Sequence, residues 1–104
     1  MENLIFEQGK RGAVLVKSNS SAAFLTVPDT WQGVPVTEIG DYAFAQQPQL
    51  RRVALPGSVD SIGNHAFYNC AALEQLVLQN GLRSVGDGAF KNCRALHHIF
   101  VRGL

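Results

Sequence analysis

The feature that most constrains this chain is an internal repeat of 23 residues. Residues 36–44, 59–67 and 82–90 match column by column, and each stretch ends in Ala-Phe. The second half of each unit keeps the same spacing in its apolar columns: Leu50, Leu73 and Leu96; Val53, Leu76 and Ile99; Leu55, Leu78 and Val101. A unit of this length cannot bury its apolar residues alone, so the repeat predicts a solenoid in which successive units stack.

Each unit contains a predicted strand. In the first unit Val53 and Leu55 alternate with outward positions, which is the pattern of a half-buried strand. Residues 76–78 and 99–101 repeat this alternation. Turn-forming pairs follow the three strands: Pro56-Gly57, Asn80-Gly81 and Arg102-Gly103. Stacked units would therefore place the strands parallel and in register, about 4.8 Å apart.

The segment that leads to the next strand is predicted to contain a short helical turn. Suitable N-cap residues follow the apolar-Gly pair of each unit: Asp41, Asn64 and Asp87. Phe67 and Cys70 stand three residues apart, so a helical turn would bury both side chains on one face. The first unit has Gln46-Gln47-Pro48 at the positions of Asn69-Cys70-Ala71. This difference predicts that its turn ends early or is looser.

The N-terminal 35 residues predict a cap followed by an irregular rung. Residues 4–8 and 13–17, joined through Gly9 and Gly12, have the pattern of a β-hairpin that would lie over the first repeat. Residues 25, 27 and 28 then fall in the columns of residues 53, 55 and 56. We therefore predict a single domain, with cap and irregular rung over residues 1–35 and three repeats over 36–58, 59–81 and 82–104.

Trp31 lies in the long turn of the irregular rung. A tryptophan side chain contributes a large apolar area when it is buried. We expect it to pack on the hairpin rather than to contact a ligand.

The pattern Ile-Gly-x-x-Ala-Phe-x-x-Cys-x-x-Leu-x-x-Leu-x-Leu resembles the BspA-like class of bacterial leucine-rich repeats. The resemblance covers residues 36 to 104, and residues 24–40 are similar to the segment that often precedes such arrays. It implies an α/β fold, a short horseshoe solenoid of parallel strands with short helical turns on the outer side. It also implies a concave face that binds other proteins, commonly in cell-surface and host-associated bacterial proteins. No cofactor is predicted.

The outward residues of the predicted strands form a surface that we call the strand face. Its rows are Arg52, Gln75 and His98; Ala54, Val77 and Phe100; Pro56, Gln79 and Arg102. Phe100 beside Arg102 has the composition of an interface anchor. We predict that this face binds a protein partner through Arg52, Gln75, His98, Val77, Phe100, Gln79 and Arg102. An ordinary solvated sheet face is the alternative.

The last repeat is predicted to leave apolar side chains open to water. These residues, which we call the open edge, are Phe90, Leu96, Ile99 and Val101. An uncovered strand edge favours pairing with another chain. The expectation is either a homodimer joined through the last repeat or a chain cut from a longer array.

Charge and hydropathy exclude several classes of partner. Nine basic and eight acidic residues give a net charge of +1, and the basic residues are scattered, which argues against nucleic acid and anionic lipid as partners. The N-terminal residues lack the basic start and the apolar run of a secretory signal, and no stretch is apolar enough to insert into a membrane. The compartment stays open on these grounds.

Cysteine and histidine provide the only candidates for chemistry. Cys70 and Cys93 share a column, so their side chains point the same way and are expected to be buried free thiols rather than a disulfide. Cys93 with His97 or His98 could belong to a zinc site or a nucleophile pair, but a fourth ligand and an orienting third residue are both missing. The sequence therefore predicts a non-enzymatic binding module.

Overall fold

The computed structural model describes residues 3–103, which form ten strands joined by turns. The chain coils through about four turns, and each turn contributes one strand to each of two sheets. We use "rung" for one such turn. The strands are β1 (Leu4–Gln8), β2 (Ala13–Ser18), β3 (Phe24–Thr26), β4 (Thr30–Trp31), β5 (Val34–Ile39), β6 (Arg52–Ala54), β7 (Ser61–Ile62), β8 (Gln75–Gln79), β9 (Ser84–Val85) and β10 (His98–Arg102).

The predicted repeat strands form the second sheet, in the order β10-β8-β6-β3. All its pairs are parallel, and the register aligns Leu25, Val53, Leu76 and Ile99. The strand prediction is therefore confirmed, and β3 adds one more parallel strand before the first repeat. Within the three repeats, residues 23 apart lie side by side. The alternation of buried and outward side chains permits no shift by one residue.

The first sheet has the order β1-β2-β5-β7-β9, with β4 paired to β5. The predicted hairpin is present, because β1 and β2 pair antiparallel. Its second strand also belongs to the solenoid, since Leu15 of β2 aligns in parallel with Ile39 of β5. The ring of Trp31 stacks on Phe6 of β1 with centroids 6.0 Å apart, which confirms that this tryptophan packs on the hairpin.

The core between the sheets consists of columns of like residues. Phe44, Phe67 and Phe90 form a stack with centroid separations of 4.9 and 5.3 Å and nearly parallel rings. The rings of Phe44 and Phe67 are fully buried, whereas Phe90 in the last rung is half-buried. Each rung therefore supplies the apolar cover for the one before it.

The prediction of helical turns is wrong, because residues 3–103 contain no helix. Each turn holds two residues in the left-handed region, with φ of 59° and 60° at Tyr42 and Gln46 and of 56° and 60° at His65 and Asn69. A helix requires consecutive negative φ values. Alternate N–H groups of the turn donate to the next rung instead, as Phe44 N does to the Ala66 carbonyl at 2.7 Å.

The residues expected to be N-caps connect neighbouring rungs. Asp41 Oδ1 accepts the backbone N–H of Asn64 at 2.7 Å, and Asn64 Oδ1 accepts that of Asp87 at 2.8 Å. The sequence therefore predicted the correct acceptor side chains. The donor, however, is a backbone N–H of the next rung and not one of the same turn. A cap and an inter-rung bridge satisfy the same kind of backbone donor, so local sequence cannot separate them.

The first repeat has the same turn as the others, which makes the expectation of a looser turn wrong. Gln46 takes the left-handed conformation that Asn69 and Asn92 take in the other repeats. Gln47 Nε2 donates to the Ser18 carbonyl at 2.9 Å, and Cys70 Sγ donates to the Phe44 carbonyl at 2.9 Å. The amide of Gln47 and the thiol of Cys70, which share a column, therefore both donate to a backbone carbonyl earlier in the chain.

Gly63 shows how closely the rungs approach. A Cβ at this position would lie 2.7 Å from the Asp41 nitrogen and 2.8 Å from the Gly40 carbonyl carbon. Both atoms belong to the preceding rung and to its backbone. The apolar-Gly pairs are consequently required for stacking, and they do not form a phosphate-binding loop.

Candidate functional site

The second sheet assembles the strand face in the rows that the sequence predicts. Arg52, Gln75 and His98 are aligned by the register of β6, β8 and β10, and so are Ala54, Val77 and Phe100. Gln79 pairs with Arg102. The parallel register brings residues from distant parts of the chain to a spacing of about 4.8 Å between strands.

A groove with a volume of about 570 Å³ crosses this face. It holds Arg52, Val77, Gln79 and Arg102 of the predicted binding set, whereas Gln75, His98 and Phe100 lie outside its lining. Residues from all four strands, or from the turns that follow them, line it: Thr26, Val27, Pro28, Asp29, Arg52, Ala54, Leu55, Pro56, Val77, Gln79 and Arg102. Sequence reasoning missed the contribution of the irregular rung, which the same alternation around Leu25 and Val27 could have revealed.

The middle row of the face is apolar and sunken. Val77 points outward from β8 and yet is only 2% exposed. Its neighbour in the register on β6 is the small side chain of Ala54. On β10 Phe100 stays 45% exposed, and the ring of His98 stacks on it at 5.5 Å. The side chains of Ala54 and Val77 therefore form the apolar floor of the groove.

The charged residues around the face differ in how they are paired. Arg51 donates to Glu74 at 3.0 Å and lies over the ring of Phe24 at 5.8 Å. Within residues 3–103, neither Arg52 nor Arg102 has a carboxylate at salt-bridge distance. Both guanidinium groups line the groove, and their donors are available to a ligand.

The opposite surface, on the first sheet, has a smaller depression of about 250 Å³ lined by Arg11, Asp60, Ser61, Arg83 and Ser84. Arg11 forms an ion pair with Asp60 and lies 3.5 Å from Glu38. The charge of Arg11 is therefore balanced by two carboxylates here. This surface offers a matched control for substitutions on the strand face.

The side chains of the open edge are more exposed than the residues aligned with them in earlier rungs. Leu25, Val53 and Leu76 are at most 3% exposed, whereas Ile99 in the same column is 54% exposed. Val101 is 42% exposed, and Phe90 and Leu96 are half-buried. The last described rung therefore exposes more apolar surface in these columns than the rungs before it.

Cys93 and His97 are not arranged for chemistry. Cys93 Sγ donates to the Phe67 carbonyl at 3.0 Å, and His97 Nδ1 lies 2.8 Å from the Ala95 carbonyl oxygen. Burial raises the pKa of the Cys93 thiol, which favours the unreactive protonated form. Both cysteines are free thiols, with Cys70 fully buried and Cys93 half-buried. Residues 3–103 contain no group of three or more side chains placed to hold a metal ion, and nothing in them indicates catalysis.

Two sheets whose rungs pair in parallel, with a repeat of 23 residues and a stacked phenylalanine core, define a leucine-rich-repeat solenoid. Residues 18–103 match the BspA type leucine rich repeat region in six copies. The chain therefore belongs to the BspA-type leucine-rich repeat family.

Solved structures of bacterial leucine-rich repeat proteins share this fold. One from T. pallidum is 33% identical with a TM-score of 0.90, over 97% of this chain and 49% of that chain. A leucine rich cell surface protein from Faecalibacterium prausnitzii A2-165 is 27% identical with a TM-score of 0.82, over 97% of this chain and 31% of that chain. This chain thus spans about half of the first protein and about a third of the second.

A leucine-rich repeat protein from Bacteroides capillosus ATCC 29799 has the same fold at 22% identity, with a TM-score of 0.67 over 96% of this chain and 94% of that chain. Among curated proteins, no significant match is found. In the part of the chain that the structure describes, no helix has the length and hydropathy needed to cross a membrane.

Proposed function

We propose that this chain is a non-enzymatic protein-binding module that presents its strand face. The observation that carries the proposal is the groove, which runs across all four strands of the second sheet and has an apolar floor and two unpaired arginines. Concave surfaces with a few placed polar groups are where proteins bind ligands.

The rigidity of the sheet supports the same function. The groove residues on the strands are held by parallel pairing over three strand pairs, and the core beneath them is fully buried at Val53 and Leu76. A preformed surface loses little conformational entropy when a partner binds. Exposed aromatic and arginine side chains at Phe100 and Arg102 supply the residue types that dominate interface energetics.

The test is selection of a displayed random-peptide library on the folded chain. The selected peptides are then measured against Ala54→Phe, which fills the groove, and against Ser84→Phe, which places the same ring on the first sheet. We expect Ala54→Phe to abolish binding and Ser84→Phe to leave it intact, with both variants retaining the unfolding midpoint of the parent within a few degrees.

A second variant keeps the test decisive if Ala54→Phe fails to fold. Arg52→Glu combined with Phe100→Ala changes only partly exposed side chains of the strand face, and it should abolish binding without lowering stability. Peptides that bind both strand-face variants as well as the parent would contradict the proposal, and so would a library that yields no binder.

We also propose assembly through the open edge as a second candidate function, with a second copy of this chain as partner. It is favoured by the exposure of Ile99 and Val101 in columns that are buried in the other rungs. Pairing of two β10 strands would cover the apolar surface and satisfy unpaired backbone groups.

Light scattering over a concentration series tests this second function. We expect the parent to reach the mass of a dimer and Ile99→Glu to remain monomeric. Ile5→Glu is the matched control, because Ile5 is 45% exposed on β1 at the other end of the coil, and it should dimerise like the parent. A parent that stays monomeric throughout, or two variants that behave alike, would exclude the open edge as an interface.

A further inference from the structure

The strand face has an uneven distribution of charge, although the chain as a whole is nearly neutral. No outward residue on its four strands is acidic, whereas Arg52, His98 and Arg102 are basic. Asp29 is the one carboxylate among the residues that line the groove, and it follows β3 at one corner. A ligand with acidic groups away from that corner would complement the groove.

The two unpaired arginines lie on a diagonal whose midpoint is Val77. On β6, Arg52 lies beside Gln75, which comes two residues before Val77 on β8. On β10, Phe100 lies beside Val77, and Arg102 comes two residues after Phe100. The diagonal therefore spans two strand spacings and four residues along the strands. These steps place the two Cα atoms about 16 Å apart.

An extended polypeptide matches this geometry. Its side chains at i, i+2 and i+4 point to the same side, and residues i and i+4 are about 13 Å apart. The long side chains of glutamate and arginine bridge the remaining distance. The central side chain would then lie over the apolar floor formed by Ala54 and Val77.

We propose that the groove recognises an extended acidic segment of a polypeptide that crosses the strand face diagonally. The segment carries Asp or Glu at positions i and i+4 and an apolar side chain at i+2. The carboxylates bind Arg52 and Arg102, and the apolar side chain fills the groove between them. This inference rests on the proposed function and specifies the chemistry of its partner.

The opposite diagonal does not offer the same recognition. It runs from His98 through Val77 to Pro56, which has neither charge nor a donor. An acidic group at that end would also approach the corner occupied by Asp29. The charges consequently select one of the two diagonals.

Fluorescence anisotropy with two labelled synthetic peptides of identical composition tests the inference. Ser-Glu-Ser-Leu-Ser-Glu-Ser has the predicted spacing, and Ser-Glu-Ser-Leu-Glu-Ser-Ser moves one glutamate to the other side of an extended chain. We expect the first peptide to bind more tightly. Arg52→Gln and Arg102→Gln should each weaken its binding by about 2- to 5-fold, the range of an exposed ion pair.

Arg83→Gln is the matched control, because it removes the same charge from the surface of the first sheet. It should leave the affinity unchanged. Equal binding of the two peptides, or an equal loss in all three arginine variants, would overturn the inference. The absence of saturable binding at concentrations up to about 1 mM would overturn it as well.

Two further measurements separate the inference from the function on which it rests. If heparin displaces the peptide and replacement of its leucine by serine changes nothing, the face binds polyanions and the acidic polypeptide is rejected. If library peptides lose binding to Ala54→Phe but carry no acidic residues at i and i+4, the proposed function stands and this inference fails.

Discussion

Truncation of Phe67 to alanine tests the stacking of rungs more directly than any other substitution. The ring is fully buried and lies between Phe44 and Phe90, with centroids at 4.9 and 5.3 Å. Loss of its burial costs about 1.5–3 kcal/mol, and each ring contact adds about 0.5–1.5 kcal/mol. We therefore expect Phe67→Ala to lower the free energy of unfolding by about 3–5 kcal/mol, the usual range for a buried phenylalanine.

The last rung provides a control of the same chemistry. Phe90 is half-buried and has one ring neighbour, Phe67. Phe90→Ala should therefore cost about half as much, on the order of 2 kcal/mol. Because 1 kcal/mol shifts the melting temperature of a domain of this size by about 4–8 °C, the two variants should be clearly separated.

Urea unfolding followed by circular dichroism measures both variants against the parent. The total stability of a chain of this length is about 5–15 kcal/mol. Phe67→Leu, which keeps part of the burial, replaces Phe67→Ala if the alanine variant is unfolded in the absence of urea. Melting of Phe67→Ala within a few degrees of the parent, or equal costs at the two positions, would refute the reasoning that each ring is stabilised from both neighbouring rungs.

Three further predictions follow from individual contacts. Gly63→Ala should lower the free energy of unfolding by about 1–3 kcal/mol, because its Cβ would meet the backbone of Asp41 and Gly40. Gly57→Ala is the control and should be neutral, because its Cβ would meet only the Gln79 side chain, 3.6 Å away. Equal urea midpoints of the two variants would show that the rungs tolerate wider spacing. Burial raises the pKa of Cys70 from 9.0 to about 11, so the contribution of this thiol to stability is complete below pH 9 and is lost as the pH rises towards 11. The difference in free energy of unfolding between the parent and Cys70→Ala should therefore shrink over that range. A difference that stays constant with pH would contradict this prediction. A thiol reagent should modify Cys93 of the native protein before Cys70, because Cys93 is half-buried and Cys70 is fully buried. The two labelling rates are measured separately on Cys70→Ala and Cys93→Ala. Faster reaction of Cys70 would contradict the assigned packing.

The candidate site was predictable to a lesser extent than the fold. Alternation along a strand identifies Arg52, Val77 and Arg102 as outward residues, since side chains on a strand point alternately to its two faces. It does not reveal that Val77 is only 2% exposed, because burial of an outward residue depends on the tertiary structure and not on alternation along one strand. It also does not reveal that Arg51 is paired with Glu74, 23 residues away, while Arg52 is not paired.

The sequence by itself determined the period of the coil, the register of the second sheet and the core columns, because these depend on spacing along one chain and on the two-residue alternation of strands. The tertiary structure alone decided the conformation of the turns. Tyr42 and His65 adopt positive φ, and their N–H groups donate to the next rung. No local pattern encodes a donor whose acceptor lies 22 residues away. The groove was likewise decided by the tertiary structure, since it exists only where four rungs lie side by side.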